Sequence, residues 1–96
     1  MIRHICMFTL KEENKKENIA EFMKRAENLR AIDLIKGFQV VRNAENTPAT
    51  NYDVALLFDF DTVEALDEYQ NSEIHKEFGK FVATVKVQRA CIDHEI

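Results

Sequence analysis

Apolar and polar positions alternate in four segments of the chain, which is typical of β-strands. Alternation along residues 2 to 10 places Ile5 and Met7 on one face of a strand and the following residues on the other: His4, Cys6, Phe8 and Leu10. Residues 38 to 43, after a turn at Gly37, and residues 52 to 60 predict a second and a third strand. Residues 86 to 95 predict a fourth strand, on which the following residues share a face: Val87, Arg89, Cys91 and Asp93.

Two other segments repeat apolar residues every three or four positions, as an amphipathic helix does. The first follows Asn14, which stands three residues before Glu17 as in a capping box, and it predicts a helix of about four turns. The second begins at a similar pattern over residues 61 to 64. It is interrupted at Asn71 and Ser72, where Ser72 can cap a new helix.

The resulting order, β-α-β-β-α-β, predicts a ferredoxin-like α+β fold in which helices cover one face of a four-stranded antiparallel sheet. The strands are nevertheless apolar on both faces. Because a monomer rarely exposes a large apolar patch, a second copy is expected to cover the free face. The sequence therefore predicts a homodimer, packed sheet to sheet into a barrel.

Composition narrows the class of protein. A chain of 96 residues is expected to form one domain, spanning residues 1–96. Its 13 basic and 17 acidic side chains give a net charge of −4, which disfavours nucleic acid as a partner. No apolar run reaches the roughly 20 residues of a membrane span, and the first residues do not resemble a signal peptide. We therefore expect a cytoplasmic protein that is not bound to membranes.

Cysteine and histidine positions point to no metal and no cofactor. Two cysteines make neither a disulfide framework nor a zinc motif, and two reduced thiols in the core are expected. The three histidines, His4, His75 and His94, lie far apart along the chain. In a ferredoxin-like sheet the first and last strands are neighbours, and a register with Cys6 near Cys91 would bring His4 near Asp93. Such a pair either fixes a histidine tautomer for catalysis or is a structural contact.

Several segments, taken in order, resemble the stress-responsive A/B barrel (Dabb) domain. They are the opening residues 1 to 11 (MIRHICMFTLK), residues 52 to 56 (YDVAL), residues 65 to 70 (ALDEYQ) with His75 and Phe78, and residues 89 to 96 (RACIDHEI). The resemblance implies a dimeric α+β barrel. The family includes plant polyketide cyclases of the olivetolic acid cyclase type, which use a Tyr–His pair for an intramolecular aldol condensation.

The resemblance places the catalytic pair of those cyclases on Tyr69 and His75, and a further histidine on His4. One departure is that the family's usual His-Pro-x-His is here Ser72-Glu73-Ile74-His75, which keeps only the second histidine. Chemically, a histidine can act as a general base near neutral pH, and a tyrosine can donate to a developing enolate. Alternatively, Tyr69 packs the helix junction and His75 caps or solvates it.

Three functions follow as hypotheses. The chain is a Dabb protein that binds a small apolar or carbonyl-containing molecule between sheet and helices, or a cyclase or other lyase that uses Tyr69 and His75, or a purely structural assembly protein. Arg89, if it points into the barrel, binds a ligand carboxylate or pairs with Asp93. The remaining expected ligand contacts are Phe8, Phe22 and Phe78.

Overall fold

The computed structural model describes residues 1 to 96, and its elements follow the predicted order with the second helical segment split in two. The strands are β1 (Ile2–Leu10), β2 (Gly37–Arg42), β3 (Val54–Phe60) and β4 (Lys86–Glu95). The helices are α1 (Lys15–Ala26), which continues into a 3₁₀ turn over Glu27–Ala31, then α2 (Val63–Gln70) and α3 (Glu73–Val85). The predicted ferredoxin-like α+β fold is confirmed.

The sheet is antiparallel, with strand order β2-β3-β1-β4. The first strand therefore lies inside the sheet, and the last strand forms one edge. Cys6 faces Cys91 and His4 faces Asp93, so the predicted register is the one observed. The ladder shifts by one residue near Thr9, where Lys86 pairs with Leu10, and Val87 falls out of the predicted alternation.

One face of the sheet packs on the helices and forms the core. Alternate residues of β1 and β3 are buried, as the period of two requires. Aromatic rings from β1, α1 and α3 meet in this core. Phe22 lies between Phe8 and Phe78, and its ring centroid is 5.6 and 5.1 Å from theirs. Phe22 is fully buried between these two rings, which meet it tilted and edge-on.

The opposite face of the sheet has no cover within the chain. Its central side chains, Ile5, Met7 and Leu57, are only half-buried, and Ile92 on the edge strand keeps 62% of its surface exposed. These apolar side chains come from the residues that alternate with the buried ones. The centre of this face is thus apolar and has no partner layer within the chain, while polar side chains such as Arg3, Asp59 and Gln39 surround it.

The helix starts differ from one another in how they are capped. Thr62 and Ser72 accept hydrogen bonds from the backbone N–H groups of Ala65 and His75, as N-caps do. Asn14 also precedes a helix, but its side chain makes no capping bond, and its φ of 56° places it in the left-handed region. The capping box expected at Asn14 is therefore wrong, because the turn into α1 uses asparagine for its backbone conformation.

Gly37 begins β2 where the chain passes close to another side chain. A Cβ at this position would collide with the carboxylate of Asp59. That carboxylate is held in place by Arg3, whose Nε and Nη2 donate to it over 2.8 and 3.1 Å. The guanidinium lowers the pKa of Asp59 through these hydrogen bonds. Glycine at this turn is thus required by packing rather than by a positive φ.

Candidate functional site

A cleft of about 300 Å³ lies between the sheet and α3, beside the edge strand β4. All three residues on which the family resemblance places catalytic roles line it, namely His4 from β1, Tyr69 from α2 and His75 from α3. Arg89, Phe8 and Phe78 line it as well. The expectation that Phe22 lines the ligand site is wrong, because Phe22 is buried behind the cleft between two other phenylalanines.

The junction between α2 and α3 sets the position of Tyr69 relative to His75. The Ser72 hydroxyl donates to the carbonyl of Tyr69 over 2.8 Å and accepts from the backbone N–H of His75 over 3.2 Å. A single hydroxyl therefore ties the end of one helix to the start of the next. The two rings come to lie with their centroids 4.6 Å apart.

The Tyr69 hydroxyl is buried and has no hydrogen-bond partner. The ring is fully buried and contacts Phe60 and Phe58, at centroid distances of 5.0 and 5.9 Å. Burial raises the pKa of Tyr69 well above its usual range, and the charge of Arg89 only partly offsets this. The phenol therefore stays neutral and keeps a proton to donate.

The ring of His75 is oriented by a backbone contact. Its Nδ1 lies 3.0 Å from the carbonyl oxygen of Gln70. Because a carbonyl can only accept, Nδ1 carries the proton and the lone pair is on Nε2. Burial lowers the pKa of His75, the bond to Gln70 raises it in part, and the charges of His4 and Arg89 lower it further. The neutral imidazole is thus the favoured form near pH 7.

His4 and Asp93 form the pair that the sequence left open. The His4 ring is buried, and its Nδ1 lies 2.6 Å from Oδ1 of Asp93. The Asp93 side chain, on the edge strand, is 43% exposed. A carboxylate in this position holds the histidine in one orientation and places the proton on Nδ1.

Cys6 and Cys91 are joined in a disulfide, so the expectation of two reduced thiols is wrong for this structure. They occupy facing positions on neighbouring strands, and their Cα atoms are 4.2 Å apart. The predicted register brings the two cysteines together, but it does not predict the bond, because a disulfide is unusual in the cytoplasmic protein that the sequence indicates. The two sulfurs and a ring nitrogen of His4 all lie within 4.8 Å of one another.

The charges around the cleft are positive, although the chain as a whole is acidic. Lys86 and Arg89 line it, and no aspartate or glutamate does. Neither cation takes part in an ion pair. The alternative that Arg89 pairs with Asp93 is therefore wrong, because the Asp93 carboxylate pairs with His4 instead.

A larger, open hollow of about 570 Å³ lies toward the uncovered side of the sheet, near the loop between β2 and β3. Its walls include Met7, Val41 and Tyr52. It gathers no pair of histidine or cysteine side chains, and part of its wall is the uncovered apolar face. We therefore place the candidate site in the smaller cleft, which holds the titratable side chains.

Sequence reasoning named the side chains of the site but missed the groups that position them. The Gln70 carbonyl carries no signal in the sequence, since any residue could supply it. Lys86 falls at a register shift, so alternation alone could not assign its face.

None of the helices is long and apolar enough to cross a membrane.

Solved structures share this fold along almost the whole chain. A dimeric protein with a ferredoxin-like fold from Bacteroides fragilis is 28% identical, with a TM-score of 0.84, over 99% of this chain and 95% of that one. A Dabb family protein from Mesorhizobium loti is 24% identical, with a TM-score of 0.83, over 99% and 95%. A hydroxynitrile lyase from Passiflora edulis is 18% identical, with a TM-score of 0.83, over 99% and 92%. No curated protein matches the sequence.

The family is shown by a match that spans nearly every residue. The family model described as the stress responsive A/B barrel domain matches residues 2–96. That range includes all four strands and the two helices that carry Tyr69 and His75. It also includes the residues that pair β1 with β4. The chain therefore belongs to the stress-responsive A/B barrel (Dabb) domain family.

Proposed function

We propose that the cleft binds a small carbonyl compound bearing a negative charge, and that Tyr69 and His75 act on it as an acid/base pair. One observation carries this proposal: a buried hydroxyl without a partner lies next to an oriented histidine in a cleft. A buried polar group that is left unpaired costs about 1–3 kcal/mol, so natural proteins keep few of them. A carbonyl oxygen of the ligand would supply the missing acceptor.

The chemistry that this pair supports is enolisation. Nε2 of His75 takes a proton from the carbon next to the carbonyl, and the electron pair of that C–H bond moves to form the enolate. The neutral Tyr69 hydroxyl donates to the enolate oxygen as negative charge develops there. The enolate carbon can then attack a second carbonyl of the same molecule, whose π electrons move to its oxygen, and that oxygen takes the proton from Nε2 of His75. This is the aldol step of a cyclase.

The negative charge of the ligand is inferred from the cations at the cleft. Arg89 is free of ion pairs and carries a planar set of donors that suits a carboxylate. Lys86 adds a second positive charge, and no acidic side chain competes. A carboxylate on the ligand would therefore orient the carbonyl toward Tyr69, while Phe8 and Phe78 contact its apolar part.

We also propose that the chain functions as a homodimer, with the uncovered faces of two sheets packed together. The apolar side chains of that face support this, as does the dimeric protein from Bacteroides fragilis that shares the fold. The same fold carries a hydroxynitrile lyase in Passiflora edulis, so an active site on this scaffold has a precedent. The cleft disfavours a purely structural role, for which a solidly filled core would suffice.

A deuterium-exchange experiment tests the enolisation. 4-Oxopentanoate, a ketone that bears a carboxylate, is incubated with the protein in D₂O, and α-deuteration is followed by NMR. We expect the protein to accelerate exchange, and His75→Gln and Tyr69→Phe each to lower the rate by about 100-fold. The neutral methyl ester is the matched control and should exchange more slowly, because it cannot pair with Arg89. Equal exchange rates with the protein, with both variants and in buffer would contradict the proposal.

A further inference from the structure

Three side chains of the kinds that bind transition metals meet where β1 pairs with β4. His4 and Cys6 are two residues apart on β1, so they project from the same face, and Cys91 directly faces Cys6. A nitrogen of His4 and the two sulfurs lie within 4.8 Å of one another. The sequence predicted no metal site because these residues are far apart along the chain, and the pairing of the first and last strands removes that objection.

The donor set is the one that zinc prefers. Thiolate sulfur and imidazole nitrogen bind Zn²⁺ at about 2.3 and 2.0–2.1 Å, in a tetrahedron. Donors around such a centre are therefore separated by roughly 3.5 Å, so the three side chains need only small rotations about their χ angles to reach it. Soft thiolate ligands also disfavour Mg²⁺ and Ca²⁺, which take oxygen donors.

A second observation supports a metal at this position. Asp93 holds Nδ1 of His4 at 2.6 Å, which leaves the lone pair on Nε2. Histidines that ligate zinc are commonly oriented by a carboxylate in this way, and loss of that carboxylate weakens the metal site by about 10–100-fold. Asp93 lies next to the cluster because it is two residues from Cys91 on β4 and therefore projects from the same face of the sheet.

We propose that the reduced protein binds one Zn²⁺ through His4, Cys6 and Cys91, and that the disulfide is the metal-free state of the same site. A dithiol or a phosphine reduces the Cys6–Cys91 bond by two electrons, and each sulfur takes up one proton. Zn²⁺ then displaces both protons, because the thiolate is the ligand. Exchange with a second, low-molecular-mass disulfide, which accepts the two electrons and leaves as two thiols, rejoins Cys6 to Cys91. This removes two of the three protein ligands and expels the metal. The fourth coordination position is left for water or a ligand from the cleft.

The test is a zinc titration of the whole chain in both redox states. Protein is reduced with a phosphine, freed of it under argon and titrated with Zn²⁺ by calorimetry, beside untreated protein. We expect one Zn²⁺ per chain in the reduced protein and none at the same concentrations in the oxidised protein. Cys91→Ser should abolish the stoichiometric binding, and Asp93→Asn should weaken it by about 10–100-fold.

His94→Ala is the matched control, because His94 lies on the same strand but is exposed and faces away from the cluster. It should bind Zn²⁺ as the parent does. A second measurement needs no variant: one equivalent of Zn²⁺ should slow the alkylation of both thiols in the reduced protein. Absence of stoichiometric binding, equal binding by Cys91→Ser, or unprotected thiols would each overturn the site. None of these readouts depends on catalysis by Tyr69 and His75, so the two proposals fail separately.

Discussion

The hydroxyl of Tyr69 is the one buried side-chain polar atom of the chain that lacks a hydrogen-bond partner. Replacing Tyr69 with phenylalanine removes this unpaired group and keeps the aromatic packing on Phe58 and Phe60. We therefore expect Tyr69→Phe to raise the free energy of unfolding by about 1 kcal/mol. Urea denaturation measures the change, and Tyr52→Phe, at a half-buried position, should leave stability unchanged. A loss of stability in Tyr69→Phe would mean that the hydroxyl has a partner in the free protein.

His75 predicts a dependence of stability on pH. Its pKa is lowered from the ordinary value of 6.5 in the folded chain, so the unfolded chain binds more protons as the pH falls through 6.5. Stability from this group is therefore complete above that pH and is lost as the pH falls toward the folded pKa. NMR of the His75 ring should give a midpoint below 6.5. Denaturation between pH 5 and 7 should show a shallower slope in His75→Gln, and an unchanged slope would contradict the assignment.

Single residues show how far the sequence could be interpreted. His4 opposite Asp93, and Cys6 opposite Cys91, were expected once the strand order was known, because pairing in an antiparallel sheet fixes which side chains meet. The disulfide was not expected, because disulfides are rare in the cytoplasm, which is the compartment that the sequence predicts. Phe22 was misplaced because periodicity shows which residues turn inward, but not which of them stand at the surface of a cavity.

At the scale of elements, the helix caps differ in what they contribute. Ser72 bonds to both Tyr69 and His75, so Ser72→Ala should lower the free energy of unfolding by about 1 kcal/mol. Asn14 makes no capping bond and has a positive φ, so Asn14→Gly should leave stability within about 0.5 kcal/mol of the parent. Thermal denaturation followed by circular dichroism measures both. A larger loss in Asn14→Gly than in Ser72→Ala would contradict this assignment of the caps.

Element boundaries followed from the sequence where periodicity was strong. β1 spans the predicted residues 2 to 10, and the break at Ser72 is the observed start of α3. β3 begins at Val54 rather than at Tyr52. There the carboxylate of Asp53 accepts from the backbone N–H of Leu10 over 2.8 Å, a contact between distant segments that no local pattern contains.

At the scale of the whole molecule, the uncovered sheet face predicts the oligomeric state. Leu57 lies near the centre of this face, between Ile5 and Gln39 on the neighbouring strands. Light scattering at micromolar concentration should give twice the chain mass of 11.2 kDa. Leu57→Glu should yield a monomer, because a carboxylate buried between two sheets is unpaired.

Val63→Glu is the matched control for the dimer. Val63 is an apolar residue that is 53% exposed on α2, away from the sheet. The same substitution there should leave the mass at twice that of the chain. A monomeric parent protein, or a dimer that survives Leu57→Glu, would show that the sheet face is not the interface.

The placement of β1 between β3 and β4 has a consequence for the chain as it leaves the ribosome. Synthesis adds roughly 5–20 residues per second, and β1 can pair with β3 once residue 60 has emerged. The backbone groups on the other edge of β1 stay unpaired until residues 86 to 95 have been made and form β4. During that interval the nascent sheet has an open central strand that another chain can join. A prematurely released fragment would be prone to aggregate, and the last strand to be made is the one that closes the sheet.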